Sequence, residues 1–420
     1  MASPTRITEL AALIQTNTAI LNTYLTQNNL PTPSFSPSYG TTTLNLPPDI
    51  TAARNAALAA TDELQYLLLD PTTTLVAKMI EAASLPIPLA IITKHHLATK
   101  FPADSTATAA TIASGTGLAE SDVLRILRKA VTMHIFDEPV KGTFAHTSLS
   151  RAIAEVPHLR AGTHAFCEGM WTCAPHMVGA LERFPGSGDP TETAWNLATG
   201  RKGAFWEEYA NMPAEMGRFA EAMVLIGASE RLDMRFLVEG YGEGWKGVGM
   251  VVDMGGSRGE LAGRLVEGIE GVRVVVEDRE VVQGVGVEGR RDGRVEFRVH
   301  DFFEEQPVKG ADVYVLRQIL HDWSDEYAAR ILRALIPALK KGARVVINDS
   351  VLPEHGEVDL VQERVGREYD LVMWRLFNAK ERDIDDWRSL VAMADERFKI
   401  TKILRPEGSQ LSIIEVTWEG

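Results

Sequence analysis

From about residue 245 onward the chain alternates short β-branched runs with stretches of helical pattern, and this alternation restricts the fold more than any other feature. The runs are "VGMVVDMGG", "VRVVVED", "VEFRVHDFF", "DVYVLRQIL" and "ARVVIND". Helical stretches separate them, which predicts a parallel, doubly wound α/β sheet. Two further runs, "FKITKIL" and "LSIIEVTWE", are joined only by "RPEGSQ". That link is too short for a crossover helix, so the pair is expected to form an antiparallel hairpin closing the sheet. A hairpin there departs from the usual dinucleotide-dehydrogenase topology.

The region before the sheet is helical in pattern. Residues 7–30 place Leu10, Ile14, Ile20, Leu21 and Leu25 near helical spacing. Five prolines among Ser and Thr make 31–49 a linker or extended arm. Such an arm beside an isolated apolar helix is expected to pack on a second subunit, giving a homodimer; a frayed N-terminus is the alternative. Residues 50–103 continue the helical pattern, and 106–150 read as helix, Gly-containing turn, helix and hairpin, a winged-helix pattern. Between 104 and 151 five acids (Asp104, Glu120, Asp122, Asp137, Glu138) balance five bases (Arg125, Arg128, Lys129, Lys141, Arg151). The second helix opens on Glu120 and Asp122, where phosphate would have to sit, so a structural or dimerising winged helix is expected rather than a DNA reader. Residues 151–240 are mostly helical and rich in aromatics, among them Trp171, Trp195, Phe205, Trp206 and Tyr209. The expected division is therefore 1–150, 151–240 and 241–420.

Bulk composition narrows the partners. A 420-residue chain with 45% hydrophobic residues can bury two or three cores. Its net charge of −14 argues against nucleic acid or an anionic membrane as the main partner. Two cysteines, Cys167 and Cys173, fit a reducing compartment, and the apolar runs, such as "PIPLAII", look too short to span a bilayer. A cytoplasmic protein is the expectation.

"VVDMGGSRGELAGRL" runs from strand to glycine turn to helix. Gly255 and Gly256 permit a sharp turn and close approach to a ligand, and Gly259 lets the helix pack on the strand. The G-x-G-x-x-G fingerprint is not met, since Ser257 and Glu260 fall where glycines are required. Asp253 would repel a pyrophosphate but attract a cationic aminocarboxypropyl group. The next strand ends in Glu277 and Asp278, placed to hold ribose hydroxyls. The third ends in "HDFF", where Asp301 could accept from an adenine amino group and Phe302 or Phe303 could stack on the base. All lie at carboxyl ends of successive strands, where such sheets bind ligands.

With these residues in view, the chain resembles the S-adenosylmethionine-dependent O-methyltransferases of the plant caffeic-acid type, in their fungal secondary-metabolism branch. The resemblance covers nearly the whole chain, through "HTSLSRAIAE", "DMGGSRG", "HDFFEEQPVKGADVYVLRQILHDWSDE" and "DLVMWRLFNAKERD". It implies a Rossmann-like class I methyltransferase sheet behind an N-terminal α-helical winged-helix dimerisation domain. It also implies S-adenosyl-L-methionine as cofactor and a homodimer. Gly255, Asp278, Asp301 and Phe302 would contact the cofactor, joined by Asp253, Gly256 and Arg317. His321 would be the general base, flanked by Asp349 and Glu381. Asp349 stands where the family often has Glu, and "DRE" at 278–280 replaces a more usual "DLP".

Methyl transfer to oxygen needs an oxyanion or a hydroxyl losing its proton, and a phenol of pKa near 10 is only about 0.1% ionised at pH 7. A histidine near 6.5 is about three-quarters neutral there and can take the proton. A carboxylate on its far nitrogen would fix the tautomer. Asp322 reads instead as a turn residue, and Ser324 as N-cap of a helix over 325–341. His164, Trp171, Met223, Met373, Trp374 and Phe377 are candidates to line a substrate pocket. Arg317 and Arg375 could meet an anionic or carbonyl oxygen, with ordinary surface salt bridges the simpler expectation. Cys167, Cys173 and His176 lack zinc spacing, so no metal is expected. The substrate is expected to be a phenolic or enolic hydroxyl of a small aromatic or polyketide-type metabolite. The competing expectations are a methyltransferase-like pericyclase that holds the cofactor without transferring methyl, and a non-catalytic regulator.

Overall fold

The computed structural model describes residues 5–41, 44–156, 158–227, 229–279 and 293–420, and the chain divides into two units. Unit 1 holds Met1–Thr172, Ala214–Ile226 and Asp359–Val361; unit 2 holds Cys173–Pro213, Gly227–Val358 and Gln362–Gly420. Glu280, in the altered "DRE" motif, lies outside the described residues.

In unit 1, the helices Arg6–Gln27 and Pro48–Leu68 pack together, joined by the Arg6 guanidinium donating to Glu63 at 2.7 and 2.6 Å. The winged helix consists of β1 (Thr106–Thr108), β2 (Phe136–Val140) and β3 (Thr143–His146) in the order β1-β3-β2, with helices Ala109–Ala113 and Glu120–Val131. Ile92, Leu97, Ile112, Val123, Leu127, Phe136 and Phe144 fill its core. The proline-rich arm lies against this chain's own helix Ser148–Glu155. Ser148 donates its N–H to the Phe35 carbonyl and its Oγ–H to that of Ser34, each at 3.0 Å, and Arg151 donates to Pro37 at 2.6 Å. Phe35 stacks on His134 at 4.4 Å. A segment that cannot pair its own backbone takes its donors from a neighbouring element. The stretch Pro71–Lys94, 24 residues of mean hydropathy 1.7 with 11% of its most apolar window buried, is long and apolar enough to cross a membrane by length and composition. It carries Lys78 and Glu81 and is made of two helices, Pro71–Ser84 and Pro86–Lys94.

Unit 2 carries the sheet. Its strands are β4 (Met250–Met254), β5 (Arg273–Asp278), β6 (Val295–Val299), β7 (Val313–Arg317), β8 (Arg344–Asp349), β9 (Phe398–Leu404) and β10 (Ser412–Trp418). The order is β6-β5-β4-β7-β8-β10-β9. The first five are parallel, whereas β10 runs antiparallel between β8 and β9. The expected hairpin is therefore present, and its second strand, not its first, joins the parallel array. The central strands are apolar on both faces, as Val251, Val252, Val313, Val315, Val345 and Val346 show, because helices cover both sides. The chain order reverses between β4 and β7, which places the switch point beside the glycine turn.

Candidate active site

Strand alternation separates the two acids that end β5. Glu277 faces the interior, 1% exposed, and accepts from the Gln306 side chain at 2.8 Å. Asp278 faces the ligand end: its carboxylate accepts from the N–H groups of Ser257 (2.8 Å) and Arg279 (2.7 Å). That carboxyl is pushed up by burial, with both N–H bonds opposing.

The glycine turn is held against β5. Gly255 and Gly256 donate their N–H groups to the Glu277 carbonyl at 2.7 and 3.2 Å. Gly255 has φ +69°, and a Cβ there would lie 2.5 Å from Ile319 Cδ1, so only glycine fits between this turn and the segment leading to His321. A Cβ on Gly259 would lie 2.8 Å from Phe297, the close helix packing expected of it. Asp253 is 2% exposed and its Oδ2 has no hydrogen-bond partner among the described residues. Burial pushes its carboxyl up to about 7, against the attraction of Arg317. Arg317 is held by donation to the Leu232 carbonyl at 2.6 Å, and its Nε has no partner among the described residues. Burial pushes that guanidinium down. Asp301 is exposed and accepts from the Phe303 N–H at 2.9 Å, closing a local turn, while Phe302 packs edge-on to Trp323.

Past β7 the backbone turns at Gln318, a non-glycine residue at φ +52°, whose N–H donates to the Asn348 carbonyl. Such an outlier persists only where its surroundings hold it, and the next turn carries His321. His321 Nδ1 lies 2.8 Å from Glu381 Oε1, and Nε2 lies 3.5 Å from Asp322 Oδ1. A carboxylate acceptor assigns the proton to Nδ1 and leaves Nε2, in the neutral ring, as the acceptor. Burial alone would lower the imidazole's pKa. Glu381, Asp322 and Asp349 outweigh it and raise the pKa to about 10. Burial in turn pushes Asp322 up to about 6 and Asp349 up to about 7, each opposed by His321.

The flanking acids differ from the sequence expectation. Glu381 meets the ring, but neither oxygen of the fully buried Asp349 has a hydrogen-bond partner among the described residues. Asp349 acts on His321 through charge alone; Asp322, set aside as a turn residue, provides the second carboxylate. The shared site also depends on Arg382, fully buried directly after Glu381. Its guanidinium donates to the carbonyls of Leu320 (2.8 Å) and Trp323 (2.7 Å) and to Asp325 (2.8 Å). It thereby clamps both ends of the His321–Asp322 turn to the Glu381 segment. The only sequence signal for Arg382 was an arginine beside a candidate acid.

Ser324 occupies the N-cap position of Asp325–Leu335, yet its Oγ is buried without a cap bond. The helix ends at Leu335 and continues as a 3₁₀ turn over Ile336–Ala338, earlier than expected, because Pro337 cannot supply an N–H to continue the ladder. Met373 and Phe377 are buried one helical turn apart on Leu360–Phe377, whereas Trp374 is 38% exposed on another face of that helix. His164, Trp171 and Met223 belong to unit 1. His164 there lies 3.6 Å from both Glu168 and Glu215. The Nε of Arg375 is buried and has no hydrogen-bond partner among the described residues. The described residues include no group of three His, Cys, Asp or Glu arranged to hold a metal.

Residues 186–395 match the family model of the O-methyltransferase domain. The chain is 37% identical over 443 residues to O-methyltransferase pyvH of Aspergillus violaceofuscus, covering 100% of both. Among solved structures it is similar to OxaC in complex with SAH and oxaline (21% identity, TM-score 0.76, 97% of this chain and 100% of that one). It is also similar to a protein described as a pericyclic reaction enzyme (23% identity, TM-score 0.71, 97% and 100%). Matched along its whole length by such a relative, and over residues 186–395 by the family model, the chain belongs to the O-methyltransferase family.

Proposed function

We propose that the protein transfers a methyl group from S-adenosylmethionine to a phenolic or enolic hydroxyl of a small aromatic or polyketide-type metabolite, with His321 as general base. The observation that carries this reading is the 2.8 Å contact between His321 Nδ1 and Glu381, which fixes the ring with Nε2 as its working nitrogen. Ile319, two residues earlier, closes on the glycine turn. The cofactor supplies an electrophilic methyl on a sulfonium. The unpartnered Asp253 oxygen fits its ammonium, Asp278 its ribose hydroxyls, Gly255 and Gly256 the close approach, and Phe302 its base. His321 Nε2 takes the acceptor's proton, and Glu381 and Asp322 stabilise the resulting imidazolium. The site holds the acceptor oxygen in place, and base assistance is typically worth ~10²–10⁴ in rate.

The purified protein would be incubated with S-adenosylmethionine and a panel of polyketide phenols, enols and pyridones. Equal yields of S-adenosylhomocysteine and methylated product are expected; consumption of an acceptor without either overturns the reading. Asp253→Asn removes the charge facing the ammonium and is expected to weaken S-adenosylmethionine binding about tenfold or more in calorimetry, since charged hydrogen bonds are worth ~1.5–3 kcal/mol.

One observation favours the pericyclase reading. A histidine raised to about 10 is an imidazolium at neutral pH, able to donate to a carbonyl. The pH profile separates the two. Transfer through neutral His321 should rise as pH climbs toward 10, whereas a reaction using the imidazolium should fall there. A cation bound beside the turn lowers the midpoint, because it opposes the imidazolium.

A further inference from the structure

One loop of unit 2, running from Ser187 to Thr193, meets the segments on both sides of the His321–Glu381 contact. Near its start, Gly188 packs on Ser324, three residues after His321: a Cβ on Gly188 would lie 2.9 Å from both Cβ and Oγ of Ser324. Further along, the carbonyls of Asp189 and Glu192 accept from the Asn378 side-chain nitrogen at 2.9 and 3.0 Å. Both partners are acceptors, so the amide can present only its NH₂ to them. The loop is also tied within itself. Ser187 donates its Oγ–H to Glu192 at 2.6 Å, and Thr191 donates its N–H and Oγ–H to Asp189 at 2.8 and 2.6 Å.

Asn378 ends the helix Leu360–Phe377 in the left-handed region, at φ +53°, and its N–H donates to the Trp374 carbonyl at 3.0 Å. Glycine usually fills such a cap, and a side chain persists there only where its surroundings hold it. Three residues later the Glu381 N–H donates back to Asp370 Oδ1 on the same helix, at 3.0 Å. The chain reversal at 378 therefore decides where the Glu381 carboxylate arrives. We propose that Asn378 is a positioning residue for Glu381, and that the loop Ser187–Thr193 is the strut that spaces the His321 turn from the Glu381 segment. The proposal deepens the general-base reading and rests on it. Arg382 joins the same two segments directly and follows Glu381, whereas Asn378 precedes it, so Glu381 is held from both directions along the chain. A hydrogen bond at 2.8 Å leaves little room for drift, because such bonds weaken steeply past about 3.2 Å.

The test is an NMR titration of the His321 ring in the full-length protein, its signals assigned by loss in His321→Ala. The low-field Nδ1 proton of the contact with Glu381 is the second reading. Asn378→Gly keeps the left-handed backbone and removes both donors. It should lower the His321 midpoint, because Glu381 is one of three acids, with Asp322 and Asp349, that favour the charged ring. It should also move the Nδ1 proton upfield. Methyl transfer should fall about tenfold to a hundredfold, since a misplacement of about 1 Å can cost on the order of 10². Should that variant fail to fold, Gly188→Ala loads the other end of the strut and should move both signals in the same directions. Ser324→Gly removes the atoms that the new methyl meets, and in the double variant it should restore them. Signals that stay in place in folded Asn378→Gly overturn the proposal, whatever the change in melting temperature, since a merely structural loop would alter stability alone. A Gly188→Ala displacement that Ser324→Gly does not relieve overturns it too. Neither signal needs turnover, so the outcome stands apart from any failure of the methyl-transfer assay.

Discussion

Replacing His321 with alanine should lower methyl transfer by about 10²–10⁴, the usual worth of a positioned general base, while leaving S-adenosylmethionine affinity within about threefold, a margin well under the ~1.4 kcal/mol that makes a tenfold change. The separation follows from the geometry. His321 follows β7 on a turn of its own, whereas Asp253, Gly255 and Asp278 belong to β4, β5 and the glycine turn. Single-turnover measurements of S-adenosylhomocysteine release, paired with calorimetry, would check it. A loss of less than about threefold would show that the proton leaves by another route. Glu381→Gln should act more weakly in the same direction, because the ring loses a charged acceptor at Nδ1 yet keeps its packing.

Arg382→Met should cost about 3–5 kcal/mol of stability, the range found when one partner of a buried ionic arrangement is removed. Arg382 is fully buried, and its loss leaves two carbonyls and the Asp325 carboxylate without their shared donor. Methionine fills part of the volume but donates nothing. Lysine cannot replace arginine well, since one ammonium on a flexible stem does not match the fork that reaches three acceptors. Denaturant unfolding would give the value, and a shift below about 1 kcal/mol would remove the clamp assigned to Arg382. The surviving folded fraction should also lose activity, because the clamp sets the spacing between His321 and Glu381.

Stability should respond to pH with opposing signs. His321 is raised from 6.5 to about 10, so its contribution is full below pH 6.5 and is lost as pH rises toward 10. Asp349 is raised from 3.8 to about 7, so the folded state binds its proton more tightly than the unfolded one. This group's contribution therefore also falls as pH rises, but between about 4 and 7. The surface carboxylates lowered by arginine partners, such as Asp395 beside Arg397, act in the reverse direction and lose their contribution as pH falls. The buried cluster should dominate above pH 7, giving a midpoint of thermal unfolding that declines toward pH 10.

Much of this was legible from local pattern. The β-branched runs gave the parallel strands because residues buried on both faces leave an unbroken apolar signature. The length of "RPEGSQ" required the hairpin. Gly255 could be read as a close approach, since no other residue tolerates that backbone beside a ligand or a packed side chain. His321 and Glu381 were found by resemblance and prove to be 2.8 Å apart, although 60 residues separate them in sequence.

Other features were decided only by tertiary structure. No spacing rule shows that Asp322, in a turn, presents its carboxylate to Nε2, nor that Asp349, one strand away, stops short of a hydrogen bond. Side-chain length and strand register decide that difference, and both act across the sheet rather than along the chain. Arg382 was an ordinary letter in the sequence. Burial made it a clamp, because an enclosed guanidinium must satisfy its donors with whatever carbonyls surround it.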